Sequence, residues 1–266
     1  MNQVAIVIPI YRETLLPNEE RSFRQTLRVL GGYPIVIVCP ESMDISKYCD
    51  IAGQFSVQII RESFNDAYFQ SIAGYNRLLL TEMFYLRFAK YEYMLIAQLD
   101  AYIFRDEVPQ WCAKRYGYIG APLFGEEMNL EKAQVGNGGL SLRRVSAFLT
   151  YFKGKKNVVK KINIAKKINL EGKIYTRWFV WILMVLGWRN KPSSFAEHYK
   201  YNEDIFWSIT LEGTNYELRK PSAIEASGFA WERFPSAIYD QLGHLPFGCH
   251  AWEKYEYDTF WKQYID

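Results

Sequence analysis

The stretch Tyr93-Met94-Leu95-Ile96-Ala97-Gln98-Leu99-Asp100 decides the fold. From Tyr93 to Leu99 only Gln98 interrupts an apolar run, with no polar alternation, and the run ends on a carboxylate. A half-exposed strand alternates; one without alternation is covered on both faces, as in a parallel sheet flanked by helices. Upstream lie three more short apolar runs. Val4 to Ile8 is closed by Pro9, Ile35 to Cys39 by Pro40, and Val57 to Ile60 reads as a third strand. Between them the pattern is helical: Glu19 to Leu30, stopped by Gly31-Gly32; a short helix capped by Asp44 and ended at Gly53; and a long helix from Ile72 to Phe88. The alternation predicts an α/β fold with a Rossmann-like, mostly parallel sheet. The loops after Ile8, Cys39, Ile60 and Leu99 should then share the rim where such sheets bind ligands.

The second half is less regular. Val135 to Leu142 holds a glycine-rich turn and a short strand, and Val145 to Phe152 reads as a helix. Asn202 is placed to cap a helix reaching Gly213, and the tail is rich in Trp, Tyr, Phe and Gly. No internal repeat is visible.

At 266 residues the chain fits one large domain, and its 49% hydrophobic content excludes wholesale disorder. Its 17% aromatic content suits both a core and a sugar or base site. Net charge is +3, but residues 151–191 hold eleven Lys/Arg and one acid, Glu171, leaving the rest at −7. A footprint confined to one segment is not that of a nucleic-acid reader. Cys39, Cys49, Cys112 and Cys249 lack metal-type spacing and read as reduced thiols of a cytoplasmic protein. The N-terminal run reads as a strand, not a signal peptide.

Four local features carry possible chemistry. Gln98-Leu99-Asp100-Ala101-Tyr102 delivers one carboxylate to the ligand rim. Asp100 there reads either as a ligand of a divalent ion shared with phosphate oxygens or as a turn cap. Gly136-Asn137-Gly138-Gly139-Leu140-Ser141 permits close backbone approach or simply a sharp turn. Tyr201-Asn202-Glu203-Asp204-Ile205-Phe206-Trp207 places two acids at a helix start, as dipole stabilisers or as a general base. There the dipole lowers the carboxyl pKa and burial raises it, and the sequence leaves the winner open. Pro246-Phe247-Gly248-Cys249-His250-Ala251-Trp252 puts a histidine in a turn, for packing or for metal.

In this order, together with Val4-Ala5-Ile6-Val7-Ile8-Pro9 and Tyr75-Asn76-Arg77-Leu78-Leu79-Leu80, these motifs resemble glycosyltransferases of the GT-A fold. The pattern is similar to that of the animal beta-galactosyltransferases. The whole chain also resembles a bacterial family of GT-A-like proteins with the same Leu-Asp-Ala-Tyr and Gly-Cys-His-Ala-Trp signatures. The likeness spans nearly the full length apart from the basic segment.

The resemblance implies a GT-A-like α/β domain over 1–266 that moves a sugar from a nucleotide-diphosphate donor, UDP foremost, to a hydroxyl acceptor. It implies donor contacts from Pro9, Tyr11, Arg12, Glu41, Asn76, Arg77, Asp100, Ala101 and Tyr102. Gly138, Gly139 and Trp207 would border the acceptor. Asp204, with Glu203 beside it, would be the base of an inverting displacement. Asp100 and His250 would hold a manganese or magnesium ion. One departure stands out: the family's Asp-any-Asp becomes Asp100-Ala101-Tyr102 here, and a phenol is a poor ligand for a hard cation. Asp106 lies far along the loop. Arg12 and Arg77 are then alternative neutralisers of the diphosphate.

The lysines from Lys153 to Lys173 precede Trp178-Phe179-Val180-Trp181-Ile182-Leu183-Met184-Val185-Leu186. With Val158, Val159, Ile162 and Ala165 near helical spacing, 151–191 reads as a basic, aromatic helical insertion. It suits peripheral contact with the inner face of a cytoplasmic membrane and a glycan or lipid-linked glycan acceptor, as in bacterial surface polysaccharide synthesis. A solvated basic helix followed by a buried one reads from the same residues. A sugar nucleotidyltransferase would want a glycine-rich loop after the first strand, where Pro9-Ile10-Tyr11-Arg12-Glu13 has none. A non-catalytic carbohydrate- or nucleotide-binding protein with a decayed GT-A site is the alternative from another class.

Overall fold

A computed structural model of the chain describes residues 4–159 and 181–265. The helical reading of Lys160, Lys161, Ile162, Ala165, Lys166, Lys167, Lys173 and Trp178 to Val180 lies outside the described residues.

Four strands form a parallel block: β1 (Val4–Pro9), β2 (Ile35–Pro40), β3 (Ile59–Phe64) and β4 (Tyr93–Ala97). Two antiparallel strands, β9 (Leu140–Arg144) and β6 (Tyr118–Ile119), complete a six-stranded sheet of order β3-β2-β1-β4-β9-β6. Each central strand buries both faces, which explains the missing alternation. Ile6, Ile8, Ile35, Ile37 and Leu95 pack beneath α1 (Pro17–Leu30), whose Phe23, Leu27 and Leu30 share their cluster. Val7, Val36, Val38, Met94 and Ile96 pack on the other side with Phe84 of α4 (Glu82–Arg87) and Phe148 of α6 (Val145–Phe152). The chain is thus α/β with a mostly parallel, helix-flanked sheet, as expected.

Three expectations shift. The third strand is Ile59–Phe64 rather than Val57 to Ile60, because its ladder to β2 runs from Ile59 to Phe64. It is an edge strand, with Arg61 exposed and Glu62 half-buried and paired with Arg87, and these charges hid it from a hydrophobic reading. The long helix is two, Ile72–Leu78 (α3) and α4. Thr81 Oγ1 caps α4 by accepting from the Phe84 N–H at 3.3 Å. The Leu79 carbonyl at the break accepts instead from Tyr85 Oη (3.0 Å) and Trp207 Nε1 (3.3 Å). The helix expected from Asn202 to Gly213 is an α-turn, Glu203–Ile205, running into a π-turn, Phe206–Thr210.

Helices α2 (Ser46–Gly53) and α5 (Val108–Ala113) and the antiparallel pair β7 (Pro122–Leu123) and β8 (Gln134–Val135) connect these elements, and a smaller sheet positions the site. β5 (Ala101–Ile103) pairs antiparallel with β11 (Gly248–His250), which pairs parallel with β10 (Ala230–Trp231). In this register His250 lies opposite Ala101, and Trp231 is beside Cys249. Asp100 just before β5, His250 ending β11 and Glu232 just after β10 therefore meet at one edge.

Candidate functional site

The parallel block places the ends of β1 and β4 on one rim, as the sequence requires. A cleft of about 650 Å³ opens there, walled by Pro9 ending β1 with Tyr11 and Arg12 after it, Ser71 and Tyr75 beyond β3, and Gln98 and Asp100 after β4. Tyr11 is 58% exposed, and the Arg12 guanidinium lies 4.9 Å from its ring centroid. Arg12 is held by Glu19, which also accepts from the Leu16 N–H at 2.8 Å through its other oxygen. The sequence reading missed Glu19, whose first-turn position looked like ordinary helix stabilisation.

At the far wall Asp100 Oδ1 lies 3.2 Å from His250 Nε2, and Gln98 Oε1 lies 3.3 Å from the same nitrogen. His250 Nδ1 is 3.5 Å from Glu232 Oε1. Burial disfavours a charged imidazole, but Asp100 and Glu232 outweigh it and raise the His250 pKa to about 10. Burial likewise works against the Asp100 carboxylate, yet His250 draws its pKa below the usual range. Glu232 had no local signal, since its place depends on the pairing of β10 with β11.

The glycine turn ties this wall to Asp204. The Gly138 N–H donates to Asp204 Oδ2 at 3.1 Å, and the Ile205 N–H donates to Oδ1 at 2.7 Å. The Gly139 carbonyl accepts from the Gln98 N–H at 2.9 Å, and His250 packs against the Gly139 Cα. Burial raises the Asp204 pKa; the two N–H bonds and Arg143 offset this only in part, and Glu232 adds to the rise. Desolvation thus prevails over the helix start.

Glu203 is no free base. Arg143, fully buried on β9, donates from Nη2 to Glu203 Oε1 at 2.7 Å and from Nη1 to Oε2 at 3.0 Å. Both oxygens accept from one guanidinium fork, the geometry of an ionised pair. Arg143 Nε also donates to Ser141 Oγ (3.0 Å), which donates to the Gly138 carbonyl at 3.1 Å. Arg143 and Ser141 alternate with Leu140 and Leu142 along β9, a polar face that was the available sequence signal.

Several expected contacts go elsewhere. Asn76 Oδ1 accepts from the Glu203 N–H at 2.9 Å, so it caps the turn bearing Asp204 where Asn202 makes no side-chain cap bond. Arg77 donates to the Glu197 carbonyl. Glu41 is exposed, and its carbonyl accepts from Arg61 at 2.8 Å. Ala101 is buried in the sheet core. Tyr102 turns the other way, into an aromatic cluster with Phe104 and Trp252. Trp207 is a core residue, 1% exposed and packed on Tyr85 and Phe148. Asp106 accepts from Tyr33 Oη and the Val108 N–H, away from the cleft.

Among the described residues no group of three or more His, Cys, Asp or Glu is arranged to hold a metal ion. The Asp100–His250 pair fits a narrower role. Its 3.2 Å donor separation matches the spacing of about 3 Å between neighbouring ligands on a magnesium-sized ion. Such ions are commonly held by one or two carboxylates with phosphate oxygens completing the shell, and Asp100 supplies one such carboxylate on this wall.

A family model described as Protein of unknown function (DUF5672) matches residues 58–250. No curated protein matches. Among solved structures, the galactosyltransferase LgtC in complex with donor and acceptor sugar analogs is similar at 11% identity and a TM-score of 0.51. That likeness covers 92% of this chain and 86% of that one. The core-mannan synthase A (CmsA/Ktr4) of Aspergillus fumigatus, in its Mn/GDP form, gives 10% identity and a TM-score of 0.48 over 79% of this chain and 70% of that one. At such identities the LgtC likeness speaks to architecture, which is that of a GT-A glycosyltransferase.

Proposed function

We propose that this chain, which belongs to the DUF5672 family, is a glycosyltransferase that moves a sugar from a nucleotide-diphosphate donor to a hydroxyl acceptor. We read 1–266 as one transferase domain with 151–191 inserted in it. The observation that carries the reading is the shared glycine turn: Gly138 holds Asp204, and Gly139 backs the His250 that meets Asp100. The Asp204 carboxylate and the His250 of the Asp100–His250 pair thus both contact one loop, which supports assigning them to a single site. The GT-A architecture, shared with a galactosyltransferase that binds donor and acceptor sugar analogs, fits the same reading.

In this proposal the nucleotide lies in the cleft lined by Pro9, Tyr11 and Arg12, its base against the exposed Tyr11 ring. Asp204 accepts the proton of an acceptor hydroxyl as that oxygen bonds to the anomeric carbon. The bond from that carbon to the diphosphate oxygen breaks, and the electron pair leaves with the diphosphate. Each Asp204 oxygen uses one acceptor site on a backbone N–H and keeps another for the proton. The step inverts the anomeric centre. Asp100 and His250 would hold a manganese or magnesium ion, which supplies charge neutralisation to the diphosphate when bound. Arg12 adds a fixed positive charge on the other wall. UDP is the expected nucleotide, and a glycan or lipid-linked glycan the expected acceptor.

The non-catalytic alternative draws on the metal-binding position lost at Tyr102. Two measurements separate the readings. A thermal-shift series with UDP, GDP and their sugars, with and without manganese, should raise the melting temperature for one nucleotide class. Slow hydrolysis of the same nucleotide-sugar should accompany it. Stabilisation without hydrolysis or transfer favours the binding protein; neither effect removes both readings.

A further inference from the structure

The described residues flanking 160–180 meet at one place. Asn190, fully buried, accepts from the Val159 N–H at 2.8 Å through Oδ1 and donates from Nδ2 to the Val159 carbonyl at 2.9 Å. Its carbonyl accepts from the Val158 N–H at 2.7 Å, and Lys191 Nζ donates to the Lys155 carbonyl at 2.6 Å. These bonds set Lys153, Lys155 and Lys156 beside residues 187–191.

The returning chain makes a helical turn closed by Gly187 at φ +86°. The Gly187 N–H bonds the Met184 carbonyl at 3.1 Å, and the Trp188 N–H bonds the Leu183 carbonyl at 2.9 Å. This paired glycine cap usually tucks the next apolar side chain onto the helix. Here Trp188 is 71% exposed. Ile182 and Leu186, on one side of the turn, are 44% and 61% exposed, while Met184 is buried.

We infer that this face docks on an anionic lipid surface. With Trp181, 39% exposed, four large apolar side chains stand exposed within this turn and its cap, a concentration that marks an interaction site rather than ordinary surface. Around them are the exposed Lys153, Lys155, Lys156 and Lys191 and the half-buried Arg189, with no Asp or Glu in 151–159 or 181–191. A second copy would bring two such cationic rims together. An anionic bilayer instead offers an apolar interface to the side chains and negative headgroups to the cations. Tryptophan favours that interface. Among the described residues no helix is long and apolar enough to cross a membrane.

Sedimentation of the full-length protein with vesicles tests this. It should bind mixed phosphatidylcholine–phosphatidylglycerol vesicles at low salt, leave them at high salt, and bind pure phosphatidylcholine about tenfold or more weakly. Ile182→Ser, Leu186→Ser and Trp188→Ser together should weaken binding about tenfold with an unchanged circular dichroism spectrum. No binding, equal binding to neutral vesicles, or wild-type binding by the triple variant would overturn it. So would a dimer that the triple variant abolishes, found without vesicle binding. The readout needs no turnover, so its failure leaves the transferase proposal untouched.

Discussion

Gly139 lies against the imidazole of His250 with no room for a methyl group between them: a Cβ at Gly139 would overlap Nε2. Nε2 is the atom that faces Asp100, so the glycine and the pair form one unit. Gly139→Ala should therefore push His250 off Asp100. We expect transfer to fall by about 100-fold or more, the loss typical of a misplaced catalytic constellation. Far-ultraviolet circular dichroism should stay native. Wild-type turnover in the alanine variant would separate the pair from the reaction.

Asp204→Asn should abolish transfer, a loss of about 10²–10⁴-fold for a general base, and leave nucleotide binding intact. Stability should report the titration of the same carboxyl group. The folded-state pKa of Asp204 is raised, so the native state holds its proton at a pH where the unfolded chain has lost it. Stability thus declines as pH rises from the unfolded to the folded pKa, and the penalty persists above. An asparagine offers one oxygen to the two N–H groups that the carboxylate serves, a cost that does not change with pH. Relative to that variant, wild type should therefore lose stability as pH rises above the unfolded carboxyl value of about 3.9, measured by urea denaturation; a difference that does not change with pH would show that the folded-state pKa is not raised.

His250 has the same pH slope for a different reason, since here the charged form is the one the fold stabilises. Its pKa is raised to about 10, so the imidazolium stabilises the fold fully below the unfolded value near 6.5 and ceases to do so as pH passes 10. The stability difference between wild type and His250→Ala should shrink from pH 6 to pH 10, measured by urea denaturation. Manganese with a nucleotide diphosphate should stabilise more as pH rises over the same interval, because the cation displaces that proton. A difference constant over this range would show that the folded-state pKa of His250 is not raised.

Arg143→Met should cost about 3–5 kcal/mol, since it strands the buried Glu203 carboxylate. Arg143→Met with Glu203→Leu should recover much of that loss. Chemical denaturation of both variants measures the recovery. Additive losses in the double variant would deny the coupling.

Trp207→Ala should destabilise by about 3–5 kcal/mol, as large core truncations do. Its apparent acceptor KM should not change in the fraction that remains folded. A selective rise in acceptor KM would return Trp207 to the sugar site.

What could be read along the chain were properties of contiguous residues. Strands β1, β2 and β4 were legible because burial on both faces leaves an unbroken apolar run. Asp100 was legible because it ends such a run, and Asp204 because it opens a helical turn. The edge strand β3 and the break at Leu79 were not, since each is settled by a partner distant in sequence. The same holds for Glu203 and Trp207, whose identities suit a site but whose neighbours make them scaffold. Tyr102 stood where a second carboxylate was expected, and only the pairing of β5 with β11 turns it toward Trp252. Glu232, and the pairing of Arg143 with Glu203, emerged only in three dimensions, because hydrogen-bond register, not sequence spacing, fixes which charges share a desolvated edge. Local pattern sets which segments must be buried; long-range pairing sets which polar groups are buried together, and the proposed chemistry lies in that second choice.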